Sequence, residues 1–376
     1  MGRIKEAIVY DIEYTIIALV LVGIYWFLDR KYTKRIRVID IIAISVMVVL
    51  SAMRYYVGSD YEEYLFRYSH YINNWSSIVS RISSERVFYY VCHFFSLYSK
   101  NPYGIFWICA LILYPPLVIV ARKVTGAPSR LIACYVFLEL YAMSNNILRQ
   151  AIAAELVMFG YVAIKRGRRV LGVVLYILSV GFHLTSIIGI ALVIISGFIK
   201  PTRKNLYKSL LIGLGAIVFW RPIVKSFERM PLINTYIHYL DQTGHYVVRY
   251  GMIAYICFYA SIALWLIKEI RHANDDYLQL VNSEYVLTNL YNDSISLIII
   301  SIPLFFVATQ VSYFYRLTLY LYPLVIFSLT DMIMIHRDKS VHSRNTRVKT
   351  MTALCIWLLI SNVISLDNTY WQITFR

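Results

Sequence analysis

Charge is scarce in this chain of 376 residues, and acidic charge above all: 21 Asp and Glu stand against 37 Lys and Arg, and only 15% of residues are charged. A soluble globular domain carries about 25% charged residues. With 59% hydrophobic residues and a mean hydropathy of +0.59, the apolar surplus cannot all be hidden in a soluble core, which excludes a water-soluble or disordered chain. Cysteine is sparse too. Cys92, Cys109, Cys134, Cys257 and Cys355 lie far apart and mostly inside apolar runs, which excludes a disulfide framework and a cysteine metal site. There is no Walker loop, no dinucleotide glycine fingerprint, no His-Glu-x-x-His and no Cys-x-x-Cys. An ATP-driven pump or a redox enzyme therefore has no support, and neither a cofactor nor a metal is expected. No Gly/Ser-rich linker and no fixed-period repeat divides the chain, so residues 1–376 read as a single membrane domain.

What is present is a series of long apolar runs separated by short basic clusters. The formal net charge of +16 does not point to nucleic acid, because its basic residues punctuate the apolar runs instead of forming one basic face. Short Lys/Arg-rich loops stay in the cytoplasm. Clusters at Arg30–Arg37, Arg122–Arg130, Lys165–Arg169, Lys200–Lys208, Lys268–Arg271 and Arg337–Lys349 hold 23 of the 37 basic residues, and all six are expected inside. A spanning helix needs about 20 mostly apolar residues. Candidates lie near 8–29, 37–53, 103–121, 209–221, 250–268, 292–310, 317–335 and 350–366. Two further stretches, 130–164 and 169–199, are too long for one span. They break at Ser144-Asn145-Asn146 and at Gly181-Phe182-His183, so each reads as a hairpin of two short helices with its turn outside. The run Val87–Ser99 reads as a half-helix or interfacial helix. The expectation is an all-α polytopic membrane protein of about twelve spans, with both termini outside and outer loops over 54–86 and 222–249. The first run is full length, carries Asp11 and Glu13 near its start and has no small-residue cleavage site after it, so no cleavable signal peptide is expected.

Under that topology the unusual polar residues converge on the outer face. The loop after the second span reads Arg54-Tyr-Tyr-Val-Gly58-Ser-Asp60-Tyr61-Glu-Glu-Tyr64 and closes at Glu85. Its tyrosines form either an interfacial aromatic belt or a surface for sugar rings, with Tyr61 and Tyr64 foremost. Arg149-Gln150 opens a helix of small and apolar residues after Asn145-Asn146. A charge at membrane depth costs a few kcal/mol and faces a cavity or a partner. Arg149 therefore either forms a structural salt bridge with Glu155 or Glu139, or makes an anion site at a helix N-terminus. His183, at the apex of the second hairpin, is either a buried hydrogen-bonded side chain or a functional group. Arg316 either snorkels at the end of a span or joins the same anion site. The acidic residues Glu269, Asp275, Asp276 and Glu284 read as a solvated inner segment. Three arginines, one histidine and two carboxylates at the outer helix ends suit a multivalent anion, because the guanidinium fork matches phosphate oxygens.

At these residues the chain resembles a known family. The order Arg54…Gly58-x-Asp60-Tyr61…Tyr64, then Glu85 before an aromatic helix, Arg149-Gln150-x-Ile152-Ala153, and Phe182-His183-x-Thr185-Ser186 is similar to the EpsG-type membrane proteins, which belong with the Wzy polysaccharide polymerases of bacterial surface glycans. Ser59 stands where the family usually has threonine, and Arg86-Val87 replaces the usual small residues after the glutamate. The resemblance implies a GT-C-like inner-membrane glycosyltransferase with its active site toward the periplasm or outside. Such an enzyme joins oligosaccharide repeats, with undecaprenyl-pyrophosphate-linked donor and acceptor, into an O-antigen, capsule or exopolysaccharide. Membrane lipids surround it, and a chain-length regulator and a flippase are candidate partners. In that scheme Arg54, Arg149 and Arg316, with Gln150 beside them, bind the pyrophosphate. His183 or Asp60 is the base and Glu85 orients. Histidine's reference pKa near 6.5 suits proton uptake at neutral pH. An O-antigen ligase and a lipid-linked oligosaccharide flippase or exporter are the alternatives. A flippase needs polar residues along both halves of the membrane.

Overall fold

The computed structural model describes residues 16–357 apart from 18, 30–32, 34, 55–59, 80–84, 127, 139, 227–249, 273–284, 310–312, 336–348, 350–351 and 355. Gly58, residues 227–249 of the expected outer loop 222–249, and the acidic positions Asp275, Asp276 and Glu284 therefore lie outside the described residues, as do Asp11 and Glu13. Every regular element among the described residues is a helix. The chain divides into two compact units, one of residues Met1–Ile187 with Leu329–Arg376, the other Ile188–Ser328.

The first unit opens with α1 (Leu19–Leu28) and α2 (Val38–Ala52), followed by α3 (Tyr61–Val79), α4 (Arg86–Ser96) and α5 (Gly104–Thr125). Among the described residues, α5 is the one helix both long and apolar enough to cross a bilayer by itself; α1 and α2 are shorter apolar helices. Residues 54–86 were expected as an outer loop, and α3 fills most of that span. Its tyrosines explain why. Tyr61, Tyr64, Tyr68 and Tyr71 recur at three- and four-residue spacing, which places them on one helical face, and all four are buried. α4 matches the short helix expected over Val87–Ser99 and leaves Tyr90 and Phe94 exposed on one side.

The stretch 130–164 contains three helices where two were expected: α6 (Pro128–Phe137), α7 (Leu140–Asn146) and α8 (Leu148–Lys165). The break at Asn145-Asn146 falls where the polar residues interrupt the apolar run. α9 (Arg169–Phe182) returns along α8. Gly167, at φ 78°, makes the tight turn between them, a backbone state that suits glycine. The expected break at His183 is present: His183 adopts an extended backbone, and α10 (Ser186–Ser196) begins three residues later.

The second unit contains α11 (Arg203–Ser226), α12 (Tyr250–His272), α13 (Tyr285–Ala308), α14 (Tyr313–Thr318) and the start of α15 (Tyr322–Ile335). The expected span 317–335 is thus broken after Thr318. Serines tie these helices together. Ser294 Oγ donates to the Leu324 carbonyl at 2.8 Å, Ser296 Oγ to that of Ile199 at 2.5 Å, and Ser209 Oγ to that of Ile299. Hydroxyl-to-carbonyl bonds between helices are a feature of packing in lipid, where no water competes. Tyr259, Phe305 and Tyr322 stack at centroid distances of 5.1 and 5.2 Å.

Outward, the helices carry large apolar side chains. On α9 Val170 is 80% exposed and Ile177 67%; on α11 the figures are 68% for Leu211 and 68% for Val218. Surface of that kind is covered by hydrocarbon and not by water.

Candidate functional site

Glu85 is the hub of the cluster. It caps the start of α4 with φ 57° and ψ 32°, the one left-handed non-glycine residue among those described. That conformation costs about 1–2 kcal/mol for an L-residue and persists where the surroundings over-determine it. Three contacts do so. Glu85 Oε2 accepts from Arg149 Nη1 in an ion pair. Oε1 lies 2.5 Å from His183 Nδ1 and accepts from the Leu184 amide at 3.3 Å. Residues 64 and 98 positions away in sequence thus meet on one carboxylate. The side chains of Arg149, His183 and Glu85 are 19%, 16% and 10% exposed, so the cluster is sheltered with its edges accessible.

The electrostatics follow from this arrangement. Burial works to raise the Glu85 pKa, but the hydrogen bond with His183 and the Arg149 charge hold the carboxyl below the usual range. With Glu85 ionised, His183 Nδ1 must be the protonated nitrogen, which makes Nε2 the one with a free lone pair while the ring is neutral. Arg149 enters from the first turn of α8, with its guanidinium 5.5 Å from the Phe88 ring centre. Phe88 in turn meets Phe182 edge to face, so the two aromatic rings brace the arginine and the end of α9. Gly181 lets α9 come this close: a Cβ there would collide with the Val87 side chain.

Arg54 lies at the end of α2 and is 4% exposed. Its Nη1 donates to the Ser51 carbonyl at 2.6 Å, and its guanidinium stands 4.1 Å over Phe106. Tyr61 stacks on the same Phe106 ring at 4.8 Å. Ser51 Oγ donates to Asn145 Oδ1 at 2.5 Å, and Tyr114 supports Asn145 at 3.2 Å and Ser144 at 3.0 Å. The Asp60 amide donates to Asn146 Oδ1 at 3.0 Å. Asn145 and Asn146, at the break before α8, therefore tie Arg54 and Asp60 to the helix that carries Arg149. Gln150, on the same first turn, is buried.

Some expected placements change. The carboxylate that Arg149 pairs with is Glu85; Glu155 instead accepts from Tyr135 at 3.1 Å, and Glu139 is outside the described residues. Tyr61 and Tyr64, expected at a sugar, are 3% and 5% exposed, so in this structure their rings face protein. Burial pushes the Tyr64 phenol up against the opposing Arg149 charge. Arg316 is half-buried in α14 and belongs to the second unit.

The sequence reading missed a second charged cluster, at the other end of α2 and α5. Arg122, read as part of a basic loop, is a fully buried helical residue. Its Nη2 donates to Asp29 at 2.7 Å and Asp40 at 2.5 Å, its Nε to Asp40 at 2.9 Å, and its Nη1 to the Gly126 carbonyl at 2.9 Å. Arg37 adds a contact with Asp29 at 3.0 Å, and Tyr25 one with Asp40 at 2.7 Å. Two cations and two carboxylates neutralise one another, with Arg122, Asp29 and Asp40 fully buried, which makes this a structural tie. The signal in the sequence was an aspartate at the end of one apolar run and another at the start of the next. Among the described residues, no three His, Cys, Asp or Glu side chains gather as a metal site would need.

A model of the EpsG family matches residues 37–374. No curated protein and no solved structure matches the chain.

Proposed function

The chain belongs to the EpsG family of membrane polysaccharide polymerases, and from that premise we propose that it joins lipid-linked oligosaccharide repeats into a surface polysaccharide. The donor is the growing chain on undecaprenyl pyrophosphate and the acceptor is a hydroxyl of the incoming lipid-linked repeat. The reaction takes place at the extracytoplasmic face, within a GT-C-like membrane domain of about twelve spans. The observation that carries this reading is the Glu85 carboxylate shared by Arg149 and His183.

In the proposed reaction, His183 Nε2 takes the proton of the acceptor hydroxyl. That oxygen attacks the anomeric carbon of the donor while the bond from that carbon to the pyrophosphate oxygen breaks. The leaving group departs with the bonding pair. Glu85 holds Nδ1–H, which fixes the tautomer and favours the imidazolium as it forms; a carboxylate behind a histidine base does this in hydrolases as well. Arg149 faces the leaving diphosphate, with Arg54 as a further cation and Gln150 beside Arg149. Fixed donors aimed at growing negative charge contribute about 3 kcal/mol each. Asp60 is the second candidate for the base. The chemistry asks for no metal, since the guanidinium groups supply the cationic charge.

The ligase alternative uses the same donor with a different acceptor. The flippase alternative needs an open polar path through both membrane halves. The charged cluster at the opposite end of α2 and α5 is closed and internally paired, which supports transfer over transport. Deleting the gene separates these readings: loss of a polymerase leaves single-repeat glycans at the surface, whereas loss of a flippase leaves none.

A further inference from the structure

Glu155 lies within α8, less than two turns past Arg149, and the proposed reaction does not use it. It is 3% exposed, and Ala151, Ile152, Ala154, Val157 and Met158 around it on the helix are buried too. Tyr135 donates to its Oε1 at 3.1 Å. Its Oε2 is buried without a hydrogen-bond partner. Of the helices packed on α8, α5 presents Tyr114 and α7 presents Ser144, while α9 brings Tyr176 against Gly160, more than a turn further on.

The other buried carboxylates of this unit are treated differently. Asp29, Asp40 and Glu85 each meet a guanidinium. Among the described residues no Arg, Lys or His forms an ion pair with Glu155, and a phenol is its one partner. An ionised carboxylate buried without a counter-charge is far costlier than the neutral acid, so such a group keeps its proton.

Tyr135 carries the contact onward. It reaches Ser144, Ser144 meets Tyr114 at 3.0 Å, and Tyr114 donates to Asn145 Oδ1 at 3.2 Å. That oxygen also accepts from Ser51, whose carbonyl accepts from Arg54. A chain of hydroxyl groups therefore runs from Glu155 to the helix break before α8. A neutral acid anchors the far end of this chain without adding charge to the interior.

We infer that Glu155 is a proton-binding site inside the first unit, occupied at neutral pH, and that as the neutral acid it positions Tyr135 and, through the hydroxyl chain, the Asn145-Asn146 break. It is a positioning residue. Its effect on turnover rests on the polymerase reading above; its protonation does not.

The test is the infrared spectrum of the full chain at neutral pH in dodecyl maltoside, a detergent without an ester carbonyl. The wild type is expected to show the C=O stretch of a protonated carboxyl, displaced in D2O, and Glu155→Gln is expected to lack it. Tyr135→Phe is expected to move the band to higher frequency, because the acid loses its hydrogen bond. A wild-type spectrum without the band would overturn the inference, as would a band that survives in Glu155→Gln or stays unmoved in Tyr135→Phe. Turnover gives a second readout. Glu155→Gln keeps the size, the neutrality and an acceptor for Tyr135, and is expected to make the wild-type product ladder. Glu155→Leu is expected to lower kcat/KM about tenfold, the effect of about one lost hydrogen bond, with an unchanged melting curve. An inactive Glu155→Gln with a normal melting curve would overturn the inference, since the negative charge would then be what matters. A chain that shows the band and makes no polymer would overturn the polymerase reading alone, and an active polymerase without the band would overturn this inference alone.

Discussion

Replacing Glu85 by glutamine changes one atom of the cluster and sets its geometry against itself. Glu85 Oε2 accepts from Arg149, and Oε1 accepts from His183 Nδ1 and the Leu184 amide. A glutamine can offer one carbonyl oxygen, so its NH2 must face either the guanidinium or the histidine. Facing Arg149, it sets donor against donor and removes a charge-assisted bond. Facing His183, it turns the ring to the tautomer with a proton on Nε2, where the acceptor hydroxyl needs a lone pair, and it opposes the Leu184 N–H. A hydrogen bond to a charged group is worth about 1.5–3 kcal/mol, so Glu85→Gln is expected to lower kcat/KM about 100-fold. The assay is product-ladder formation from lipid-linked repeats by purified protein, beside a melting curve. Glu85→Gly is the informative companion: it relieves the left-handed backbone at position 85, so its melting temperature should hold better than its activity. Glu85→Gln with more than half the normal activity, at normal protein level, would refute the reasoning.

Acidification should expose the same hub. Because folding holds the Glu85 carboxyl below its ordinary range, its contribution to stability is complete above that range and disappears as pH falls through the lowered value; melting curves at stepped pH should show a larger acid loss for the wild type than for Glu85→Gln. Gly181→Val should cost about 1–3 kcal/mol and reduce activity, since its side chain meets Val87. Val87→Ala in the same chain should restore part of both, and a double variant no better than Gly181→Val alone would contradict the close approach. Arg122→Ala leaves Asp29 and Asp40 buried without their partner, a loss of about 3–5 kcal/mol that should appear as depleted protein in the membrane fraction. Normal levels of that variant would count against the structural tie.

The sequence revealed what short-range patterns encode. Apolar runs interrupted at Asn145-Asn146 and at His183 marked the helix breaks, because polar residues there have no reason to sit in hydrocarbon. The tyrosine stripe of α3 was read as loop: a tyrosine-rich segment with charges between the rings lacks the apolar signature of a span, although Tyr61, Tyr64, Tyr68 and Tyr71 carry a helical period. Glu85 was singled out as an orienting group, but its double contact was not legible, since nothing local links positions so far apart in sequence. Glu155, like Glu139, was a salt-bridge alternative for Arg149 by proximity along the chain, yet six residues along a helix point in another direction, and Glu155 reaches Tyr135 instead. The Arg122 cluster escaped notice for a similar reason. A basic residue beside a loop is read as solvated until the two aspartates from other helices are seen to enclose it.

The central claim is that a guanidinium at the start of α8 holds the departing diphosphate while His183 takes the acceptor proton. Purified wild-type protein and Arg149→Ala, both with normal melting curves, should be reconstituted with lipid-linked repeats and their products resolved by length. The account predicts a ladder of products from the wild type and single repeats from the variant. A full ladder from Arg149→Ala would contradict it.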